Sequence, residues 1–302
     1  MQILGMAPSS FLARQPIFDD RFQVIGYELL YRSSPINAYQ PDDDPEQATA
    51  SMILHGLTTF GIDRLTRGRL AFINLTRDML LAGHAEILPP EHVVLEVLED
   101  VTAEPEILRA CRDLRARGYR LALDDFRLRE DTRELLPLAD IVKVDFRQTD
   151  SRQRAGLRRG LGDGRPRLLA EKIESHAELA QARDEGFEYF QGYFYARPEM
   201  IKGRPLHASK FGTVRLMELI GQREIDFDAA EDLFSKEVDY SYRLLRYINS
   251  AAFGVRERVK SLRQALVLLG ESGIRRFASL LALTMLAADK PHELVVCSLV
   301  RA

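Results

Sequence analysis

The sequence predicts an α/β fold in two parts, a (β/α)8 barrel with an irregular N-terminal hairpin and then an all-α helical domain. Three observations favour this fold. Short apolar strands alternate with helical patterns from about Leu70 to Tyr195, which is typical of a parallel sheet with crossover helices. A strand pair precedes this region, and only helical patterns follow from Lys210 onward. A chain of 302 residues is long enough for a barrel and a small second domain.

The N-terminal region is expected to begin the barrel with a hairpin. Residues 11–19 and 22–32 are apolar strand patterns joined by a polar turn. The stretch 33–45 is rich in Pro, Asp and Asn and is expected to be a loop, and 46–60 has the apolar spacing of a helix. One hairpin strand would therefore be antiparallel to the other strands of the barrel.

Strands and helices alternate in the next part of the chain. The predicted strands are 70–75, 93–98, 121–126, 141–146, 167–173 and 189–195. The predicted helices between them are 76–82, 104–117, 151–160 and 176–185. With the hairpin, these strands approach the eight strand–helix units of a TIM-like barrel.

A change of composition predicts where the barrel ends. Residues 197–205 contain two prolines and a glycine, which is typical of a domain boundary. We therefore expect a barrel domain at 1–200 and a helical domain at 201–302. The predicted helices of the second domain are 211–220, 226–235, 240–249, 261–269 and 273–288, and a last pattern at 293–301 indicates that this domain is incomplete.

Composition excludes several classes of function. The net charge of −3 gives no indication of a nucleic-acid polymer or an anionic membrane as partner. Cys111 and Cys297 are far apart and form neither a disulfide framework nor a Cys-x-x-Cys metal pair. The longest apolar stretch, 277–288, is too short to span a bilayer, and the first residues lack the pattern of a signal peptide. We expect a cytoplasmic protein without a membrane partner.

Polar residues lie at or near the C-terminal ends of the predicted strands, where barrel proteins carry their sites. They are Glu28, Asn74, Glu96, Asp124, Asp125, Lys143, Asp145, Glu171, Glu174 and Gln191. Almost all are oxygen donors and none is His or Cys, which favours Mg²⁺, Mn²⁺ or Ca²⁺ over Zn²⁺. The adjacent Asp124 and Asp125 repel each other unless a cation compensates their charge.

This acidic set is sufficient for a two-metal site, which activates water for in-line attack on a phosphodiester. Lys143 lies between valines on a strand, where a buried lysine needs carboxylate partners, and Lys143 and Arg32 would offset phosphate charge. An alternative stays open at this point, because strand ends in any β/α barrel carry polar residues. One of the paired aspartates would then cap the next helix while the other faces water.

Seven motifs occur in order between Phe11 and Pro198. They are YELLYR at 27–32, FINLT at 72–76, LEVLE at 95–99, DDF at 124–126, VKVD at 142–145, AEKIE at 170–174 and QGY at 191–193. In this order they resemble the motifs of EAL-domain cyclic di-GMP phosphodiesterases. Leu29 and Leu98 replace an alanine and a threonine of the family pattern. The glycine-containing segment that follows DDF in active relatives is here Arg-Leu-Arg-Glu at 127–130.

The resemblance implies an EAL barrel that binds cyclic di-GMP and two Mg²⁺ or Mn²⁺ ions, and it implies roles for individual residues. The implied metal ligands are Glu28, Asn74, Glu96, Asp124 and Asp125, with Glu171 as a further candidate for the second ion. The implied catalytic residues, which position or deprotonate the attacking water, are Lys143 and Glu171. The implied substrate contacts are Arg32, Gln191, Asp145 and Glu174.

The helical region resembles an HDOD domain through LLRYINSAAF at 244–253, SLRQAL at 261–266 and LLG at 268–270. That family lacks the His-Asp metal pair of HD hydrolases, and this chain contains no His-Asp dipeptide. The resemblance therefore implies an output role, with a protein partner bound through this domain.

Two functions stay open after the sequence. One is metal-dependent hydrolysis of cyclic di-GMP to linear pGpG. The other is a catalytically degenerate barrel that senses the nucleotide or serves as a protein-interaction scaffold, which the altered segment after Phe126 favours. Homodimer formation stays open as well.

Overall fold

The computed structural model describes residues 11–32, 45–161, 166–193, 199–202, 210–250, 253–255 and 257–286. The described residues within 13–30 and 66–200 form one compact unit, here called the barrel unit. Those within 1–12, 31–65 and 201–302 form a second, the helical unit. The predicted helix at 293–301 and the predicted loop at 33–45, apart from Pro45, lie outside the described residues.

The described strands form a single sheet that closes on itself. They are β1 (Phe11–Asp19), β2 (Val24–Arg32), β3 (Leu70–Leu75), β4 (Val93–Val97), β5 (Arg120–Leu123), β6 (Ile141–Asp145), β7 (Arg167–Glu171), β8 (Tyr189–Phe190) and β9 (Glu199–Lys202). The order is β2-β3-β4-β5-β6-β7-β8-β1-β9, and β1 also pairs with β2. Neighbours from β2 to β8 are parallel, whereas β1 is antiparallel to β8. This ring of eight strands confirms the predicted barrel with its irregular hairpin.

Helices connect the strands and then continue alone. In chain order they are α1 (Pro45–His55), α2 (Ile62–Thr66), α3 (Arg77–Leu81), α4 (Pro105–Ala116), α5 (Ser151–Gly160), α6 (His176–Asp184), α7 (Lys210–Ile220), α8 (Phe227–Lys236), α9 (Val238–Ile248) and α10 (Leu262–Leu286). A π-helical turn covers Gly56–Phe60, and 3₁₀ turns cover His84–Ile87 and Arg133–Leu138. Within these ranges, no helix is both long and apolar enough to cross a membrane.

The starts of several barrel helices follow from short polar residues in the sequence. The hydroxyl of Thr76 accepts a hydrogen bond from the Met79 amide at the start of α3. Asp150 and Gln153 form a reciprocal capping box at the start of α5. These caps satisfy amides that a helix cannot pair internally, which explains why the helices begin where they do.

The barrel core is built from one inward-facing apolar residue on each of six strands. They are Ile17, Phe72, Val94, Ala122, Ile141 and Leu169. All six are buried, and Ile25, Leu70 and Tyr189 pack against them. Because side chains alternate along a strand, these residues also identify which polar residues share the inner face.

Three predicted element boundaries are wrong by three residues or more. The strand predicted at 121–126 ends at Leu123, because the chain turns at Asp125, whose φ of 39° is left-handed. The strand predicted at 189–195 covers only β8 among the described residues. The predicted helix 46–60 ends at His55 and continues as the π-helical turn. Strand β9 lies in the stretch that predicted a domain boundary.

The helical unit packs around α10, which contacts α1, α7, α8 and α9. Its core is aromatic: Phe277 stacks on Tyr247, with ring centroids 5.6 Å apart, and lies 6.2 Å from Phe234. The two helices predicted at 261–269 and 273–288 meet at Gly270, whose φ of 70° and ψ of 171° break the helical backbone. The predicted domains 1–200 and 201–302 stay a prediction, since the helical unit also includes described residues within 31–65.

Candidate active site

Five strands each place a polar residue two positions after a core residue, on the same inner face of the barrel. Asn74, Glu96, Asp124, Lys143 and Glu171 follow Phe72, Val94, Ala122, Ile141 and Leu169, respectively. Glu28 on β2 adds a carboxylate to this group. The C-terminal ends of parallel strands meet at one end of a barrel, so these side chains converge there.

The Lys143 ammonium lies where these carboxylates meet. Its Nζ is 2.7 Å from Glu96 Oε1 and 2.7 Å from Asp124 Oδ1. It is 3.0 Å from Glu171 Oε1 and 3.8 Å from Glu28 Oε2. Lys143 is fully buried, so one cation faces four carboxylates away from bulk water. We call Lys143 and these four carboxylates the Lys143 cluster.

Burial and charge act in opposite directions in this cluster. Burial raises the pKa of Glu96 and of Glu171 well above the usual range, although the Lys143 ammonium acts to lower both. Burial also acts to lower the pKa of Lys143, but the four carboxylates outweigh it and raise that pKa well above its ordinary value. The lysine therefore stays protonated and holds the acidic residues together.

Two amide side chains complete the cluster. Gln191 Nε2 donates to Glu28 Oε2 at 2.5 Å, and Asn74 Nδ2 lies 3.4 Å from Glu28 Oε1. Five buried oxygens of the site have no hydrogen-bond partner among the described residues: Asn74 Oδ1, Gln191 Oε1, Asp125 Oδ1 and both carboxylate oxygens of Glu96, of which Oε1 is ion-paired with Lys143. Since buried oxygens are costly to leave unpaired, they are available to a bound cation or polar ligand.

Gln191 reaches Glu28 because a glycine follows it. A Cβ on Gly192 would lie 2.1 Å from the carbonyl oxygen of Ile173, which no side chain tolerates. The Ile173 amide donates to the Gln191 carbonyl at 3.1 Å, and the Gln191 amide donates to the carbonyl of Ala170 at 2.9 Å. The chain after β8 therefore lies directly against the end of β7.

A second cation, Lys172, lies beside the Lys143 cluster. Its Nζ is 2.5 Å from Asp145 Oδ2 and 3.2 Å from Asp125 Oδ2. Burial acts to lower the pKa of Lys172, but Asp145 and Asp125 outweigh it and raise that pKa above its ordinary value. Sequence reasoning missed Lys172. The signal was present, because this lysine directly follows Glu171 in the AEKIE motif.

Asp145 is nearly saturated with donors. Its carboxylate accepts hydrogen bonds from Lys172, from the backbone amides of Arg147 and Gln148, and from Gln148 Nε2. Burial acts to raise the pKa of Asp145, but these hydrogen bonds outweigh it and lower that pKa below its ordinary value. Asp145 is therefore held ionised at the end of β6.

The remaining predicted residues lie further out or outside the description. Glu174 is exposed and forms an ion pair with Arg147, and its amide donates to Glu178 Oε2 at 2.7 Å. Arg32 lies in β2, but its side chain is outside the described residues. The structure thus brings together the predicted acidic residues, Lys143 and Gln191, and leaves Glu174 at the edge.

The segment after DDF is held by its own hydrogen bonds. The Thr132 hydroxyl donates to the Arg127 carbonyl at 3.0 Å, and the Ala103 amide donates to the Asp131 carbonyl at 2.7 Å. Arg127 also donates to Gln148 Oε1 at 2.8 Å. The non-glycine sequence at 127–130 therefore forms a tight connection to the following 3₁₀ turn.

The donor set fits a hard divalent cation in its chemistry. Carboxylate and amide oxygens surround the cluster, and Mg²⁺ and Mn²⁺ prefer such ligands. Several of these oxygens are buried without a hydrogen-bond partner among the described residues. In the part of the chain that the structure describes, however, no group of three or more His, Cys, Asp or Glu is already arranged around a metal position. The Lys143 ammonium lies between the oxygens, so a cation must bind beside it or displace it.

Comparison with known proteins identifies two domains and two relatives. Family models of the EAL domain and the HDOD domain match residues 68–198 and 212–298. The cyclic di-GMP phosphodiesterase CdgJ of Vibrio cholerae is 36% identical over 297 residues, which cover 97% of this chain and 68% of CdgJ. The uncharacterized protein YuxH of Bacillus subtilis is 33% identical over 300 residues, which cover 97% of this chain and 73% of YuxH.

Solved structures resemble the barrel. An EAL domain protein from Listeria monocytogenes has a TM-score of 0.51 at 21% identity, over 63% of this chain and 89% of that chain. The manganese and cyclic di-GMP complex of Klebsiella pneumoniae BlrP1 has a TM-score of 0.51 at 25% identity, over 66% of this chain and 58% of that chain. With the two domain matches and two relatives aligned along 97% of its length, this chain belongs to the family of proteins in which an EAL domain is followed by an HDOD domain.

Proposed function

We propose that the barrel unit hydrolyses cyclic di-GMP to linear pGpG with bound Mg²⁺ or Mn²⁺. The observation that carries this proposal is the Lys143 cluster, in which four carboxylates converge at the C-terminal ends of the strands. The name of CdgJ and the manganese and cyclic di-GMP complex of BlrP1 support the same chemistry. When bound, divalent cations supply a Lewis acid and lower the pKa of water.

Each residue of the cluster then has a role. Glu28, Asn74, Glu96 and Asp124 would hold one cation, and Asp124 and Asp125 with Glu171 would hold the second. Glu171 lies 3.0 Å from Lys143 and is suited to accept a proton from the attacking water. Lys143 orients that carboxylate and offsets negative charge that develops on the phosphate.

The substrate contacts belong to the rim of the site. We propose Arg32, Gln191, Asp145 and Glu174 for this function. Gln191 has a buried free carbonyl oxygen for a polar group of the ligand. Asp145 and Glu174 are already paired, with Lys172 and Arg147, so either one would meet a substrate only after exchanging a donor.

A binding module without turnover is the second candidate. It is favoured by the two lysine ammonium groups among the carboxylates and by the tight segment after DDF. In that case the barrel would bind cyclic di-GMP as a sensor, or a protein as a scaffold, without opening the nucleotide ring.

We assign the output role to the helical unit, which would bind a protein partner. The proposed location is the cytoplasm, consistent with a barrel that works on a soluble nucleotide. A homodimer is a further proposal, which gel filtration with light scattering would test directly.

The experiment that separates the two functions is a hydrolysis assay on the purified full chain. Cyclic di-GMP is incubated with Mn²⁺ or Mg²⁺ and, in parallel, with EDTA, and the products are separated by chromatography. We expect linear pGpG only with the metal. Absence of product, together with nucleotide binding by calorimetry, would support the binding module instead.

The site assignment is tested with Glu28→Ala. We expect loss of hydrolysis and of metal binding with an unchanged circular dichroism spectrum, because Glu28 lies at the edge of the Lys143 cluster, 3.8 Å from Nζ. Glu188→Ala is the matched control, since that glutamate is exposed and outside the cluster. Unchanged turnover in Glu28→Ala would contradict the assignment.

A further inference from the structure

Lys172 has an unusual backbone conformation. Its φ is 57°, in the left-handed region that residues with a Cβ rarely adopt and where glycine is the usual choice. Such strain persists where surrounding contacts compensate for it, and it is concentrated at functional sites. The contacts here are the two ion pairs of its ammonium group.

Lys172 also pairs with acidic residues other than the four that Lys143 contacts. Its partner Asp125 is itself left-handed, with a φ of 39°. Asp125 Oδ2 accepts from Lys172, while Asp125 Oδ1 is buried without a hydrogen-bond partner among the described residues. Lys143, by contrast, contacts Asp124 and the three glutamates of its cluster. The two lysines thus divide the acidic residues between them.

We propose that Lys172 is a built-in competitor for the second divalent cation, so that the site takes up one ion tightly and a second one only weakly. This inference rests on the proposed function, because it assumes that Asp125 belongs to a metal site. A cation bound to Asp125 would be close to the half-exposed Lys172 ammonium, and like charges at that distance repel each other. Either the lysine withdraws from Asp125 or the cation does not bind.

The lysine also limits how Asp125 can be recruited. Lys172 Nζ bridges Asp125 to Asp145, and Asp145 is fixed at the end of β6 by the amides of Arg147 and Gln148. Withdrawal of Lys172 would leave the buried carboxylate of Asp145 without its charged partner. The position of the Lys172 ammonium is therefore set by the fixed carboxylate of Asp145 as well as by the flexible lysine side chain.

The test is a titration of the metal-free full chain with Mn²⁺, with free Mn²⁺ measured by electron paramagnetic resonance. We expect one tight ion per wild-type chain and two per chain of Lys172→Met, with the second site at least about tenfold tighter than in the wild type. Lys172→Arg keeps the charge and is expected to keep one ion. Lys236→Met is the control, because Lys236 is exposed in the helical unit.

A second variant controls for the possibility that Lys172→Met fails to fold. Lys172→Gly removes the charge and also suits the positive φ, so it is expected to fold and to bind two ions. Equal numbers of ions in the wild type, Lys172→Met and Lys172→Gly, whether none, one or two, would overturn the competition. The readout requires no turnover, so a chain that fails to hydrolyse cyclic di-GMP can still confirm or overturn it.

Discussion

Both units of the molecule bury a cationic side chain, but they surround it differently. In the barrel unit Lys143 faces four carboxylates, which raise its pKa. In the helical unit Arg243 donates to the hydroxyl of Thr58 at 2.8 Å, and its Nε is buried without a hydrogen-bond partner among the described residues. Burial lowers the pKa of Arg243 to about 10, although Asp239 attracts its charge.

The difference shows that a buried charge is not in itself a sign of a site. Arg243 and Arg246 both bind Thr58, in the π-helical turn, so their function there is to hold a distorted helix. Lys143 instead carries one positive charge and faces four acidic side chains. The number and sign of the partners distinguish a structural cation from one that belongs to a functional cluster.

The largest expected effect tests the barrel side of this comparison. Lys143→Met leaves buried carboxylates without a counter-charge, and loss of one partner of a buried ion pair costs about 3–5 kcal/mol. We expect the free energy of unfolding in urea to fall by that amount, and Mn²⁺ to recover part of the loss because it replaces the missing positive charge.

The control for this variant is Lys236→Met, in an exposed pair with Asp232. Such a pair contributes about 0.3–0.5 kcal/mol, so this change should be small. If Lys143→Met lowers the free energy of unfolding no more than Lys236→Met does, the proposed importance of the Lys143 ammonium is contradicted.

A smaller effect tests how the backbone positions the cluster. Gly192→Ala places a methyl group against the backbone of Ile173 and should displace Gln191 from Glu28. Strain from overpacking typically costs about 1–3 kcal/mol, which thermal or urea unfolding can measure. Metal binding should weaken in parallel.

Gly156→Ala is the matched control, since nothing lies within 4 Å of a Cβ at that helical position. Removing a glycine from a helix interior should stabilise the chain by about 0.5–1 kcal/mol. Equal behaviour of the two alanine variants would mean that the close approach at Gly192 does not position Gln191.

The smallest expected effect tests the buried arginine of the helical unit. Arg243→Met removes a buried charge and replaces it with an apolar chain of similar length. Replacing buried charges by apolar residues is often neutral, so we expect the free energy of unfolding to change by at most about 1 kcal/mol. A loss as large as that of Lys143→Met would remove the distinction between the two cations.

The sequence was sufficient to predict which residues share the inner face of the barrel. Apolar residues with a period of two identify the strands, and the polar residue two positions later must then point the same way. That is why Asn74 and Glu96, which are paired in register, could be placed in one site before the structure was known.

The sequence was not sufficient where the backbone departs from regular geometry. Lys172 and Asp125 are 47 residues apart and meet through two left-handed residues, which no periodic pattern indicates. The π-helical turn at Gly56–Phe60 lies within one continuous helical pattern of the sequence, and Arg243 and Arg246 contact it at Thr58. The Lys143 ammonium between the carboxylates also depends on distances that spacing alone does not provide.

The closing of the ring has a consequence for how the chain is made. Phe18 and Asp19 pair with Phe190 and Tyr189, and the same step brings Gln191 to Glu28 across a sequence separation of 163 residues. At ribosomal rates of about 5–20 residues per second, β1 waits roughly 10–30 s for the synthesis of β8. The Lys143 cluster therefore gains the contact between Gln191 and Glu28 only after the eighth strand has left the ribosome.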